Sequence, residues 1–296
     1  MKKSSEPIEA QVLGKQVAYP KGYSPELLVF VPRSANREIY GLQDNNLPFV
    51  GYDVWHAYEL GFLTDKGLPV SGVLKIIYPA NSPGIVESKS LKLYLNGFNM
   101  SYYGANREDG IIKICEIIKD DLSELLKTKV ELHFFDATAG ETGFDFGSYE
   151  LLEARPETEN LNFADFKENQ SLLKISDDKG GQIMVGTHLL RSKCRITGQP
   201  DWGSAYILLK GDQLPELPSL LKYIVSIRNE NHFHEEICEM IYKRLWDTFS
   251  PTELMISTIY TRRGGIDICP ARASKASLLP KLLTNVNQLS KKLIRQ

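Results

Sequence analysis

The chain predicts an α+β protein built of antiparallel sheets with two helices on one face of each. Three observations predict it. Apolar and polar residues alternate in short runs such as Ser71 to Tyr78, which follows the turn signal Asp65-Lys66-Gly67. Longer segments carry apolar residues three and four apart. The element order strand, strand, helix, helix, strand occurs twice. Strand pairs joined by tight turns, with helices between the pairs, give antiparallel sheets with helices segregated to one face.

Residues 1–45 are rich in Pro, Asn and Ser and lack sustained periodicity, which predicts an extended arm or covering segment. Tyr52 to Leu60 and Ser71 to Tyr78 read as strands, and a short helix begins near Ser88. Ile111, Ile114, Cys115, Ile118, Leu122, Leu125 and Leu126 form the apolar stripe of a longer helix. Val130 to Phe135 is the next strand. In the second half, Gln182 to Arg191 and Ser204 to Leu209 read as strands. Leu217, Leu220, Leu221 and Ile224 mark a helix, and another runs from His234 to Phe249. Leu254 to Tyr260 is a strand, and Gly264-Gly265 turns the chain into Ile266-Asp267-Ile268. The Glu- and Asn-rich stretch 150–170, with Pro156, is the expected crossing between halves. The division is 1–45, 46–160 and 161–296; the duplication rests on element order.

At 296 residues, 42% apolar and 24% charged, the chain has the composition of a soluble globular protein with a sizeable core. A net charge of −2 gives no reason to expect a nucleic acid or an anionic membrane as partner. No apolar run approaches the roughly 20 residues of a membrane span. Lys2 and Lys3 lack the apolar stretch of a signal peptide. Four cysteines in a chain this long make no disulfide framework, and a reducing cytoplasm is the expected compartment.

Cys115 lies on the helical stripe, Cys238 beside Ile237 and Ile241, and Cys269 before Pro270; all three read as packing residues. Cys194 sits between Lys193 and Arg195 in a Gly- and Pro-containing loop, where cations favour the reactive thiolate. Asp201 is either a turn residue or a proton carrier; beside the thiolate, two anions would share a proton. Glu235 and Glu236 suit the positive end of a helix, and Glu87 suits a helix cap. His232, His234 and Cys238 raise a zinc site, although their spacing fits no trusted ligand pattern. Lys89 and Lys92 share a helix face. Arg262-Arg263-Gly264-Gly265 makes a basic turn suited to phosphate, or merely an exposed hairpin. No G-x-G-x-x-G or Walker A pattern is present, so neither a Rossmann site nor a P-loop is supported.

Four segments in order carry a resemblance: Glu87-Ser88-Lys89-Ser90-Leu91-Lys92-Leu93-Tyr94; Cys194 followed by Thr197-Gly198-Gln199-Pro200-Asp201-Trp202-Gly203-Ser204; His234-Glu235; and Tyr260-Thr261-Arg262-Arg263-Gly264-Gly265. Together they resemble the NADPH-dependent 7-cyano-7-deazaguanine reductases, the nitrile reductases of queuosine biosynthesis, in their long two-module form. The resemblance implies tandem tunnelling-fold modules, a homodimer and a pathway leading to modified tRNA. It implies Cys194 as the nucleophile that forms a covalent thioimide, Asp201 as proton donor and His234 as an assistant in proton transfer. Glu87 and Glu235 would hold the base, with Val86 and Ser88 lining the pocket. Ser88, Lys89, Lys92, Arg262, Arg263 and Gly264 would contact NADPH, of which two are consumed per nitrile. Where the family often has proline after the cysteine, this chain has Arg195, which would lower the thiol pKa or point to solvent. Two rival readings are a zinc hydrolase of the cyclohydrolase type, with Cys194, His232 or His234 and Cys238 as ligands, and a purine- or pterin-binding protein without turnover.

Overall fold

The computed structural model describes residues 22–296. Its first half runs β1 (Phe30–Pro32), α1 (Ser34–Ile39), β2 (Val50–Leu63), β3 (Pro69–Pro79), β4 (Gly84–Val86), α2 (Ser88–Asn96), α3 (Arg107–Leu126) and β5 (Glu131–Phe135). The second half runs β6 (Glu150–Leu151), β7 (Ile175–Lys193), β8 (Pro200–Pro215), α4 (Leu217–Ser226), α5 (His234–Phe249), β9 (Glu253–Tyr260), β10 (Ile266–Ile268) and β11 (Ala271–Ala273).

The α+β class and the antiparallel pairing agree with the sequence reading, but the sheets of the two halves are joined. Nine strands form one sheet in the order β5-β3-β2-β11-β9-β8-β7-β6, with β10 also on β2. The short strand β11 makes the join: Ala271 pairs with Tyr52 of β2 on one side and with Ser257 of β9 on the other. A three-residue strand carries too little pattern to be seen in sequence. β6 is an exception to the antiparallel rule, pairing parallel to β7 within the expected crossing stretch.

Successive residues of a strand face opposite sides, and here both sides are buried. Trp55, Leu74 and Ile76 meet Leu91, Ile114 and Ile118 of α2 and α3. Ile207 and Ile256 lie in the core formed with Ile237 and Ile241 of α5 and Leu220 of α4. On the opposite face, Val54, Ile77 and Met255 are covered by Phe146, Leu279 and Leu283. Segments without regular structure supply that cover, so their role carried no period for the sequence to show. The C-terminal tail is fixed by charge as well: Lys292 lies 3.3 Å from Asp267, which also binds His56 at 2.6 Å and Tyr58 at 2.6 Å.

Close strand approach requires glycine at Gly51, where an added Cβ would lie 2.1 Å from the Ala271 carbonyl oxygen. Gly51→Ala should therefore push β2 from β11 and lower Tm by several degrees, at roughly 1–3 kcal/mol for overpacking. A thermal melt indistinguishable from the parent chain would contradict this.

The expected arm is more than extended chain. Residues 1–21 lie outside the described residues, while 22–45 contain β1 and α1. Arg33 and Arg37 are buried there at 5% and 1% exposure. Arg37 forks onto Glu239 of α5 with 2.8 and 2.7 Å bonds and reaches Asp44 at 2.7 Å. Arg272 of β11 bonds Glu239 at 2.9 Å and pairs with Asp53 of β2 at 2.8 Å, and Arg33 pairs with the other oxygen of Asp53. Burial would raise the Glu239 pKa, but Arg272, Arg37 and Arg33 outweigh it and hold the carboxyl down at about 2. The buried charges persist because each has partners.

Candidate functional site

The expected site segments converge on a cavity of about 430 Å³. β7 and β8 bring in Cys194 and Asp201. Lys193 pairs with Pro200 and Ser192 with Asp201, so residues 194–199 close a tight hairpin, with Gly198 at φ +65°. The Cys194 N–H donates to the Gln199 carbonyl at 2.8 Å, and its own carbonyl accepts from Gly198 at 2.9 Å. Cys194 is half-buried, whereas Cys238 and Cys269 are buried. Burial pushes the thiols of Cys115 and Cys238 up to about 11 and about 12, as befits packing residues. Asp201, which sequence could not separate from a turn residue, is the second residue of β8 and 3% exposed.

His234 opens α5. Its ring stacks on Tyr260 with centroids 3.7 Å apart and planes 6° apart, and its Nε2 is 3.5 Å from Asp201 Oδ2. Arg263 reaches the other Asp201 oxygen and donates to Gln199 Oε1 at 2.7 Å. Burial works to raise the Asp201 pKa, yet His234 and Arg263 outweigh it and the net direction is down. Asp201 therefore stands as a carboxylate between the His234 ring and the Arg263 guanidinium.

Arg195, where a side chain pointing to solvent was one expectation, is exposed yet held by partners. It bonds Glu236 Oε1 at 3.0 Å, and its guanidinium lies 5.8 Å over Phe233. Glu236 Oε2 also accepts from the Phe233 backbone N–H at 2.9 Å. Arg195 thus ties the Cys194 hairpin to the start of α5.

Glu87 is the N-cap of α2, its carboxylate accepting from Lys89 N at 2.9 Å and Ser90 N at 2.7 Å. Burial raises its pKa and those two backbone donors oppose the rise. Glu87 is thus a helix cap and also lines the cavity with Ser88, Lys89 and Lys92. A carboxylate has about four acceptor sites, so two caps leave room for a ligand. On the opposite wall, Gly264 stands at φ +57°, and a Cβ there would meet Lys92 Nζ at 3.2 Å.

Three expected residues do not line this cavity: Val86, Glu235 and Arg262. Val86 is 1% exposed in the core beside α2. Arg262 is exposed but lies 3.3 Å over the Tyr58 ring. Glu235, next to His234, is 1% exposed, and its Oε1 is buried without a hydrogen-bond partner. Burial, then the negative charge of Asp53, push its carboxyl up to about 8. Sequence reasoning missed Ile196, Phe233, Ile266 and Ile268 on the walls. It also missed Arg33, Asp53, Glu239 and Arg272 behind them. One signal was available: Glu235 and Glu239 are four apart on a helix whose same region carries Ile237, Cys238 and Ile241, so two carboxylates face a core.

Among the described residues, His232, His234 and Cys238 form no ligand group. The one group of three with metal-binding atoms in mutual reach is His56, Asp267 and Cys269. There the Lys292 ammonium already supplies a cation, 3.0 Å from His56 Nδ1. Among the described residues, no helix is long and apolar enough to cross a membrane.

The comparisons with known proteins agree with the motifs. Residues 19–134 match the family model described as nitrile reductase, 7-cyano-7-deazaguanine-reductase N-term, and residues 200–277 match that of QueF-like protein. The NADPH-dependent 7-cyano-7-deazaguanine reductase of Acinetobacter baumannii (strain ACICU) is 38% identical over 282 residues, covering 93% of this chain and 97% of the relative. That of Psychrobacter cryohalolentis is 37% identical over 287 residues, covering 91% and 95%. A solved structure of the apo archaeosine synthase QueF-Like aligns at TM-score 0.29 and 13% identity, over 34% of this chain and 99% of its own, too slight a likeness to bear on the fold. Matches along both halves and identity sustained over nearly the whole length establish that the chain belongs to the family of NADPH-dependent 7-cyano-7-deazaguanine reductases.

Proposed function

We propose that the chain reduces the nitrile of 7-cyano-7-deazaguanine to the aminomethyl group at the expense of two NADPH, through a thioimide on Cys194, within queuosine biosynthesis. The observation that carries the reading is that Cys194, Asp201 and His234 of the second half share one cavity with Glu87, Ser88, Lys89 and Lys92 of the first. With it we propose tandem tunnelling-fold modules divided near residues 46 and 160, association as a homodimer, and a cytoplasmic location in keeping with four free cysteines. Neither membrane nor nucleic acid is a partner in this reading.

A nitrile is a poor hydride acceptor, and covalent addition divides a difficult step into easier ones. Cys194 sulfur adds to the nitrile carbon; one C–N π bond breaks, and the thiol proton ends on the nitrogen. Asp201, a carboxylate before the reaction, accepts that proton from the thiol and then donates it to the nitrogen. His234 Nε2 beside Asp201 steadies the carboxylate and relays protons, with its ring held flat on Tyr260. Later loss of the thiol from the half-reduced carbon restores Cys194 and leaves an imine. Glu87, on the cavity wall, accepts donors of the base in a planar bidentate arrangement, and Glu235, buried next to His234 with Oε1 unpartnered, would join it only by opening to the cavity.

The residues fit a phosphorylated dinucleotide. Lys89, Lys92 and Arg263 bring three cations to the cavity, and the Lys92–Gly264 approach leaves a wall that a side chain at 264 would fill. NADPH supplies hydride when bound there. Ser88, Lys89, Arg263 and Gly264 would hold it, with Lys92 on the same wall and Arg262, which does not line the cavity, as weaker candidates.

The deciding measurement is absorbance at the reduced-nicotinamide band as the nitrile is added. Two NADPH lost per nitrile supports the reading; none lost from folded protein overturns it. Arg263→Gln should raise KM for NADPH about 10- to 100-fold, since a charge-assisted hydrogen bond contributes about 1.5–3 kcal/mol. An unchanged KM would remove Arg263 from cofactor binding.

A further inference from the structure

The Cys194 hairpin has open space at its tip: a Cβ on Gly198 would meet nothing within 4 Å among the described residues. Its place is set by ties to the start of α5 from both of its limbs. On the β8 limb, Asp201 Oδ2 lies 3.5 Å from His234 Nε2. On the β7 limb, the Lys193 N–H donates to the Glu230 carbonyl at 2.8 Å, and the His232 N–H to the Lys193 carbonyl at 3.3 Å. The next tie on that limb is a side chain, with Arg195 Nη1 donating to Glu236 Oε1 at 3.0 Å. Arg195 adjoins Cys194 in the chain, and the two residues it meets, Phe233 and Glu236, stand on either side of His234. Glu236 is itself held. Its side chain is 8% exposed, and its Oε2 accepts from the Phe233 N–H at 2.9 Å and lies 3.3 Å from His232 Nδ1. His232 Nε2 in turn lies 3.0 Å from the Tyr40 hydroxyl. An exposed arginine on a mobile anion contributes little. One on an anion fixed from three sides locates the chain that carries it.

We propose that Arg195 is a positioning residue for Cys194: its bond to Glu236 holds the nucleophile's limb of the hairpin at a fixed distance from Asp201 and His234. This rests on the reductase reading for the reaction, while the tie is a property of the chain itself. Asp201 is 3% exposed and paired with Ser192 inside the sheet, so its place does not depend on Arg195. Cys194 lies just beyond Lys193, the last residue of β7, so its place does. When sulfur adds to the nitrile carbon, one C–N π bond breaks and the thiol proton reaches the nitrogen by way of Asp201. That transfer needs the thiol and the carboxylate in register, and a displacement of about 1 Å can cost about 100-fold in rate. Glu87 stands on the α2 wall, away from the tie, so binding of the base should be spared. A rival account gives Arg195 a purely electrostatic part, as a cation that favours the thiolate. The two accounts differ over Glu236. In the first it holds Arg195 in place, and in the second it offsets the charge.

The test uses the full chain and follows, by quenched flow and intact mass spectrometry, the rate at which it gains the mass of the nitrile without NADPH. Arg195→Ala should slow that rate about 10- to 100-fold, with the nitrile concentration at half-maximal rate changed by less than about threefold. Glu236→Ala should slow it too, and the double variant should be no slower than the slower single variant. Arg195→Lys should regain most of the rate, because Arg195 meets Glu236 through one nitrogen rather than a fork. The pH profile of adduct formation separates the two accounts. A charge effect moves its midpoint up in Arg195→Ala and down in Glu236→Ala, whereas loss of a tie moves neither. An unchanged rate in Arg195→Ala overturns the proposal, as do midpoints moved in opposite directions or losses that multiply in the double variant. A half-maximal concentration raised about tenfold also overturns it, by making Arg195 a ligand of the nitrile within the cavity. If Glu236→Ala does not fold for want of its bond to Phe233, Arg195→Ala and Arg195→Lys still decide. If the parent chain forms no adduct, the reductase reading fails, and amide exchange of residues 194–199 judges the tie alone: faster exchange in Arg195→Ala supports it, and equal exchange overturns it.

Discussion

Cys194→Ala is expected to lose nitrile-dependent NADPH oxidation by about 10³-fold or more, because without the thiolate the route must go by direct hydride attack on a nitrile. The variant should fold normally. Cys194 is half-buried in a hairpin, and the backbone bonds that hold it, from its N–H to Gln199 and from Gly198 to its carbonyl, do not involve sulfur. It should also still bind the nitrile, since Glu87 remains on the cavity wall, and it should show no mass increase when incubated with substrate. Intact mass spectrometry of parent and variant checks this directly. Ordinary turnover by the alanine variant would falsify the covalent route while leaving the cavity as a binding site.

Glu239→Ala is expected to produce the largest loss of stability, about 3–5 kcal/mol, the cost of leaving buried partners of an ion pair uncompensated. Glu239 accepts from both Arg37 and Arg272, and Arg33 lies within ion-pair reach, so three guanidiniums lose their common anion. α1 would also lose its hold on α5, because the Arg37 fork joins them. The measurement is a denaturant melt followed by circular dichroism, and a change below about 1 kcal/mol would contradict the argument. Acid gives the same result without mutation. The Glu239 carboxyl is held down at about 2, below the ordinary glutamate value of 4.5. Its contribution is therefore present above the ordinary value and is lost as the pH falls from there through about 2. Glu235 has the opposite sign. Raised to about 8, it favours the folded chain below the ordinary glutamate value, and that contribution disappears as the pH rises through about 8.

Much of the site was legible because its chemistry is carried by short unbroken segments. Glu87-Ser88-Lys89 remains one segment at the start of α2, and His234-Glu235 remains one at the start of α5. Asp201 was legible as a candidate but not as a strand residue, because Pro200 and Gly203 gave the stretch a loop's composition. Residues 1–45 were read as an extended arm or covering segment, and the burial of Arg33 and Arg37 was invisible. Arginine in an aperiodic stretch ordinarily means solvent, and nothing nearby in sequence names Glu239 as partner.

By itself the sequence determined the class of the protein, the order of its longer elements, and the residue types that meet in the cavity. It did so because periodicity and reactive motifs are local, and local pattern survives without knowledge of distant partners. Tertiary structure alone decided that β11 would fuse the strands of both halves into one sheet and that Arg195 would turn to Glu236. It also decided that Asp201 would lie between His234 and Arg263, and that a cluster of buried charges would stand behind Glu235. Each is a pairing across many residues of chain. The free energy of such a pairing depends on burial and distance, and the chain acquires both only when the core closes.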